Sequence, residues 1–257
     1  MQNKRINLCL LMLIGFLAGC TSSSSKESAD MSALESYNHS MFKFNNVVDK
    51  TILRPVAKGY KAVTNDYLRQ RITNFFNNIA EPISAANHLL QGDLQGVSEN
   101  ISRFMVNSTI GGLGLYDVAA KAGLNKNKTG FDETLASWCV PDGPYIVLPI
   151  MGGSTPRAAT GFVADGYTSP GYWIAHESNG DDAMLVYYGA AGLKYLNIYA
   201  ENLKILEDLE ENSVDYYEAM KSMYLQNRAK IKGCKFIKKQ EDNASLSYDF
   251  DMDMDDD

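Results

Sequence analysis

The chain has 257 residues, a formal net charge of −7, and a composition that is 45% hydrophobic and 21% charged. That length suits one large domain or two small ones, and the apolar content is that of a folded protein. The acidic balance argues against nucleic acid as a partner and against electrostatic docking on anionic headgroups, so any membrane contact is expected to be driven by apolar surface and a covalent lipid.

The first residues read as a signal peptide, with Lys4 and Arg5, an apolar run from Ile6 to Phe16, and Leu17, Ala18 and Gly19 ahead of Cys20. The run is shorter than the ~20 residues a spanning helix needs. Cleavage after residue 19 is therefore expected, with lipid on the Cys20 sulfur and an acyl chain on the new amino terminus. At about 0.8 kcal/mol per buried methylene, several chains make such an anchor effectively permanent. The serine-rich stretch that follows can bury nothing, and residues 20–32 read as a flexible tether. Thr21 stands where an aspartate would signal retention in the inner membrane. The expected address is the periplasmic face of a Gram-negative outer membrane.

Of the four cysteines, Cys9 leaves with the signal and Cys20 is acylated. Cys139 and Cys234 remain, either paired in an oxidising periplasm or as two buried, inert thiols. No CxxC or histidine-rich spacing accompanies them, so no metal site is expected.

Helix signals then dominate the folded region, set at residues 33–235. Leu68, Ile72, Phe75, Phe76 and Ile79 predict one apolar helix face turned to a core. Pro82 is expected to restart the chain at the first turn of a second helix, which buries Ile83, Ala86, Leu89 and Leu90 and ends at Gly92. Asp93 can cap a third helix, with Leu94, Val97, Ile101, Phe104 and Met105 on its buried face. Gly111, Gly112 and Gly114 break the pattern ahead of a brief helix over 115–122.

Four prolines and three glycines in the stretch from Pro141 to Pro156 predict a loop or small hairpin. Thr155 and Pro156 open another helix, a long one runs from 182 to 210, and a last one from 214 to 232. Residues 236–257 form an acidic tail whose self-repulsion keeps it unfolded.

Chemical motifs are missing. His39, His88 and His176 are far apart in sequence and match no metal-ligand spacing. The string Gly152, Gly153, Ser154, Thr155 lacks the second glycine of a nucleophile elbow. No glycine-rich string matches a dinucleotide fingerprint or a P-loop. No catalytic residue is nominated, and the chain reads as a non-enzyme.

Several ordered strings do carry information. Leu34 to Asn38, Met41 to Asn45 and Leu53 to Ala57 are followed by Asn74, Phe75, Asn78, Glu81 and Pro82, then by Leu90 to Asp93. Arg103, Phe104, Asn107, Ser108, Gly111 and Asp117 come next, then Asp132 to Leu135, Gly143 to Tyr145, Arg157 and Gly161. Asp215, Tyr216, Tyr217, Tyr224, Leu225, Gln226 and Arg228 close the series. In this order the strings resemble the MlaA (VacJ) family of outer-membrane lipoproteins over about residues 33–232.

The resemblance implies an all-α fold, a ring-like arrangement of short amphipathic helices around a central amphipathic channel, with one small hairpin or loop and no substantial sheet. It implies extraction of mislocalised phospholipids from the outer leaflet and their delivery to a soluble periplasmic carrier that serves an ABC transporter. A trimeric porin is the implied neighbour. No cofactor is implied beyond the lipid on Cys20 and the phospholipid cargo. A non-transporting adaptor docked on porins is the alternative. In the segment 138–143, relatives carry Tyr and extra Gly in a hairpin beside the channel, whereas Pro141 here would stiffen it.

A phospholipid crossing such a channel needs a polar track for its headgroup. Asp117 and Arg157 are the residues nominated for it, Arg157 as a donor fork for phosphate and Asp117 to orient that arginine or contact an amine. Their competing roles are a helix cap and a surface charge. Gly111, Gly112 and Gly114 are expected to bend the backbone near the lumen, and Gly143 is placed there with them.

Overall fold

The computed structural model describes residues 24–178, 181–231 and 233–234. The signal peptide, Cys20 and the tail from 236 onward lie outside these. The chain divides into two compact units, Met1–Ser40 and Met41–Asp257. Helix α1, Ser24–Val48, begins inside the segment 20–32 assigned above to a tether. The tether reading gave weight to the serines, whereas Lys26, Glu27, Ala29, Met31, Ala33, Leu34 and Glu35 are all good helix formers.

At Asp49–Leu53 the helix widens into a π-helical turn, and α2 follows at Arg54–Val63. Pro55 explains the widening. It has no N–H for the carbonyl of Thr51, and the register slips so that the Arg54 amide reaches back five residues to the Asp49 carbonyl.

Helix α3, Asp66–Leu90, is capped by Asn65, whose side chain accepts from the Leu68 amide at 2.8 Å. Pro82 lies inside this helix and restarts nothing, a correction to the expected break. An interior proline costs about 3 kcal/mol, which is offset by the seam that α3 makes with α4 on both sides of residue 82. Helix α4, Leu94–Thr109, is capped by Asp93 as expected, with the Gly96 amide donating to Asp93 Oδ1 at 3.1 Å. The glycine-broken segment leads to α5, Val118–Lys121, shorter than the brief helix expected over 115–122, and then to α6, Phe131–Ser137.

Strands β1, Ile146–Leu148, and β2, Gly152–Ser154, form an antiparallel hairpin with Ile146 opposite Ser154 and Leu148 opposite Gly152. Asn45 brackets its turn, donating to the Leu148 carbonyl at 2.8 Å and accepting from the Ile150 amide at 2.7 Å. Helix α7, Pro156–Thr168, opens at Thr155, which accepts from the Ala158 amide at 3.2 Å. Helices α8, Pro170–Glu177, and α9, Asp181–Asn212, follow, and α10, Tyr216–Arg228, is shorter at both ends than expected. The fold is all-α with one small hairpin.

Two kinds of packing hold it. Where α2 meets α9, Ala57, Ala200 and Leu203 are buried, with Tyr60, Leu196 and Tyr199 against them. That is an ordinary apolar contact. The antiparallel pair α3 and α4 is built the other way round. Its seam buries Asn74, Asn78, Glu81, Ala85 and His88 from α3 against Gly96, Asn100, Arg103 and Asn107 from α4.

Most of the side chains expected on buried faces lie outside: Leu68, Ile79, Leu89, Leu90, Leu94, Ile101, Phe104 and Met105 are exposed, Leu94 at 71%, while Ile72, Phe75, Phe76, Ile83 and Val97 are half-buried. Periodicity marks a face but not the medium that the face meets, and here the buried stripe is the polar one.

Candidate functional site

The polar seam is organised around Arg103, which is 1% exposed. Its Nε donates to Glu81 Oε1 at 2.9 Å and its Nη2 to both Asp117 oxygens at 3.0 and 3.1 Å, while Nη1 caps the Leu124 carbonyl at 2.6 Å. Asn107 donates to Asp117 Oδ1 at 3.1 Å and accepts from the Ala119 amide at 2.9 Å. Asp117 also caps α5 through the Ala120 amide at 3.2 Å, and Lys126 lies 3.3 Å from its other oxygen. Burial opposes ionisation of Asp117, but the Ala120 amide, Asn107 and Arg103 overcome it and hold the carboxyl below its ordinary value.

Two glycines make this closeness possible. A Cβ on Gly111 would sit 2.3 Å from the Tyr116 carbonyl oxygen, and one on Gly114, at φ +89°, would sit 2.4 Å from Asn78 Cβ. Both serve close backbone approach within the cluster. Gly112, by contrast, faces open space.

A second cluster holds Arg157. Its Nε donates to Asp132 at 2.9 Å, and its Nη2 lies 3.1 Å from Asp142. Arg228, from the last helix, forks onto the same two carboxylates, and Thr155 Oγ1 donates to Asp142 at 3.1 Å. Burial opposes ionisation of Asp132, but the two guanidiniums hold its carboxyl low. Cys139 and Cys234 are joined as a disulfide beside this cluster, with Cα atoms 4.6 Å apart. Gly143, at φ +78°, sits against the Pro156 ring.

Asp117 and Arg157 therefore do not meet. Each is satisfied by other charges, so the expected orientation of Arg157 by Asp117 is corrected: Arg103 is the partner of one, and Asp132 and Asp142 are the partners of the other. Arg157 is no surface charge either, since its side chain is 8% exposed.

Charges less fully spent lie by a hollow between α3 and α9 lined by Thr73, Phe76, Asn77, Lys194, Asn197 and Ile198. Asn197 fixes one wall, donating to Thr73 Oγ1 at 2.7 Å and accepting from the Tyr60 hydroxyl at 2.7 Å. Lys128 donates to Asn77. Crowding by protein pushes the amines of Lys128 and Lys194 below their ordinary values, Lys194 despite the attraction of Asp165. Lys128 keeps its contact with solvent, as a side chain in a concave wall does. Asp165 is itself raised by burial while accepting from the Phe131 amide at 3.1 Å.

None of Lys128, Lys194, Asp165, Glu81, Asp142 or Arg228 was nominated for a site from the sequence. A signal for the seam was nevertheless present. Asn74, Asn78, Glu81, Ala85 and His88 recur at steps of four, three, four and three, and Gly96, Asn100, Arg103 and Asn107 at four, three and four. These are helical seams made mostly of polar residues.

Comparison with known proteins places these residues in a wider setting. The family model described as MlaA lipoprotein matches residues 31–231. An intermembrane phospholipid transport system lipoprotein MlaA of Haemophilus influenzae is 33% identical over 94% of this chain and 96% of its own length. An uncharacterized protein of Rickettsia typhi is 36% identical over 73% of this chain and 72% of its own. A solved structure described as the structural basis for maintenance of bacterial outer membrane lipid asymmetry aligns with TM-score 0.63 and 32% identity, covering 76% of this chain and 95% of that one.

Proposed function

Because the chain belongs to the MlaA lipoprotein family, we propose that it extracts mislocalised phospholipids from the outer leaflet of the outer membrane and passes them through a central channel to a soluble periplasmic carrier, so maintaining lipid asymmetry. It does this without catalysis, anchored through Cys20, beside a trimeric porin, with the carrier delivering to an ATP-driven transporter.

One observation carries the reading: the reversed packing of α3 and α4. In water, that many exposed Leu, Ile, Phe and Met side chains would form a patch far larger than a soluble surface tolerates. Against hydrocarbon the same arrangement is the favourable one, with polar groups satisfied internally and apolar groups in contact with lipid. Among the described residues no helix is long and apolar enough to cross a membrane. In-plane helices seated in a leaflet reconcile both facts, since each keeps its backbone bonds internal while burying one face in lipid.

In this reading Asp117 and Arg157 hold the wall together and do not touch cargo. The headgroup track runs instead past Lys128 and Lys194, whose cost of desolvation is relieved when a phosphate arrives. The test is deletion of the gene followed by quantification of phospholipid in the outer leaflet. The expected result is a rise, reversed by the parent protein but not by Lys128→Glu with Lys194→Glu at equal abundance. No rise on deletion would contradict transport and leave the adaptor. Cys20→Ala is expected to leave an unlipidated precursor; a mature-sized, membrane-bound mutant would refute the anchor.

A further inference from the structure

Six arginines lie among the described residues, and five of them are paired with carboxylates: Arg54 with Asp49 and Glu210, Arg69 with Asp66, Arg103 with Glu81 and Asp117, and both Arg157 and Arg228 with Asp132 and Asp142. Arg71 is the exception. Among the described residues its acceptors are neutral, the Leu115 carbonyl at 3.1 Å from Nη1 and the Gln70 amide oxygen at 3.2 Å from Nη2. Its Nε is buried and donates to nothing.

The side chain is nonetheless fixed in place. Its guanidinium carbon sits 4.7 Å from the Tyr67 ring centroid and 4.6 Å from that of Tyr116, and the two phenol oxygens are 2.7 Å apart. The rings set the plane of the cation without neutralising it. Two phenols sharing one hydrogen bond use one of their two protons, which leaves the other O–H to donate outward.

The surroundings make an unneutralised cation costly. Tyr67, Leu115 and Tyr116, which meet Arg71, are exposed, as are Leu68 in the same turn of α3 and Ile110 and Leu113 in the segment leading to Tyr116, Ile110 at 74% and Leu113 at 72%. A guanidinium in such a patch is stable where an anion comes to it from outside the chain. Each of the other five guanidiniums is met by a carboxylate of the protein itself. At a leaflet's edge the available anion of matching geometry is a phosphate ester, which accepts two parallel N–H bonds from an arginine fork and a further one from a phenol.

We propose that Arg71, framed by Tyr67 and Tyr116, binds the phosphodiester of a membrane phospholipid on the exterior of the α3–α4 pair, at a site separate from the hollow by Lys194. The proposal rests on the lipid-embedded reading above. It makes this corner of the protein a headgroup-level clamp, with the apolar neighbours of Arg71 among the acyl chains. Gln70 is exposed, and its amide oxygen yields Nη2 to the stronger acceptor.

The test uses the full lipidated chain, labelled with ¹³C at the arginine guanidinium carbons, in vesicles of phosphatidylglycerol. Solid-state ¹³C–³¹P dipolar dephasing reads guanidinium carbons within a few ångströms of phosphorus. One arginine signal is expected to dephase, and the dephasing is expected to disappear in Arg71→Lys. Gln70→Glu is the second variant. It places a carboxylate beside Nη2 at an exposed position and is expected to suppress the dephasing while leaving the fold intact.

Dephasing that persists in both variants, or none in the parent protein when flotation shows it bound to the vesicles, would overturn the proposal. So would equal dephasing from inorganic phosphate in a phosphate-free detergent, which would mark a free-anion site. Failure to float with vesicles at all would instead contradict the lipid-embedded reading on which the proposal rests.

Discussion

The contact between α2 and α9 and the pair α3 and α4 are both helix-on-helix packings, yet they bury opposite kinds of side chain. The first encloses Ala57, Ala200 and Leu203. The second encloses Glu81, Arg103, Asn100 and Asn107 and turns Leu94, Ile101 and Met105 outward. Apolar burial draws its stabilisation from water on the other side. A helix pair bathed in hydrocarbon gains nothing from hiding leucine and must instead satisfy its polar groups internally. On the reading proposed above, the two packings correspond to two different surroundings within one chain.

The sharpest way to break this contrast is to orphan a charge. Glu81→Ala leaves Arg103 with one carboxylate partner fewer in a site 1% exposed, and such removals cost about 3–5 kcal/mol. Denaturant unfolding in phospholipid bicelles checks it; a loss under about 1 kcal/mol would mean the seam is not held by this pair. Leu203→Ala in the apolar contact is expected to cost somewhat less, about 2–4 kcal/mol, by the same measurement. Here the loss should depend on cavity formation and not on the solution's ionic strength.

A smaller effect sharpens the comparison from outside. Met105→Lys on the exposed face of α4 is expected to change unfolding in detergent by no more than about 0.5 kcal/mol. Flotation with vesicles should nevertheless fall several-fold. If binding to vesicles is unchanged, that face does not meet lipid.

The smallest effect is in acid. The folded Asp117 carboxyl titrates below its ordinary value, so its stabilisation is complete above the unfolded carboxylate range and is lost as pH falls through the lowered folded value. Asp117→Asn should flatten that acid limb of the stability curve, whereas Leu203→Ala should shift the curve without changing its slope.

Much of the layout was legible in the residues. Asp93 and Thr155 cap the helices they were expected to cap, and the proline and glycine punctuation located the hairpin. Pro82 misled because a local rule was applied to a helix whose tertiary seam runs past it. The apolar stripes were found correctly as stripes, but most of their side chains were assigned to the wrong side, because a helical period carries no information about solvent.

The nominated site was legible only in part. Asp117 and Arg157 are each buried among charges, but their partners come from distant positions: Arg228 meets Asp132 across 96 residues, a pairing that no local pattern encodes. The signal overlooked was the polar seam itself, since Asn78, Glu81, Arg103 and Asn107 stood in the strings that carried the family resemblance without being read as a buried face.

The central claim is that the apolar faces of α3 and α4 meet lipid while their polar seam stays internal. The most direct measurement is collision accessibility of single spin labels at Leu89, Leu94, Ile101 and Met105, one at a time, on the lipidated protein in vesicles. The account predicts high exposure to oxygen and low exposure to a water-soluble nickel complex at these positions, with a label at the exposed Asp208 showing the reverse. Nickel accessibility at the four apolar positions as high as at Asp208 would contradict it.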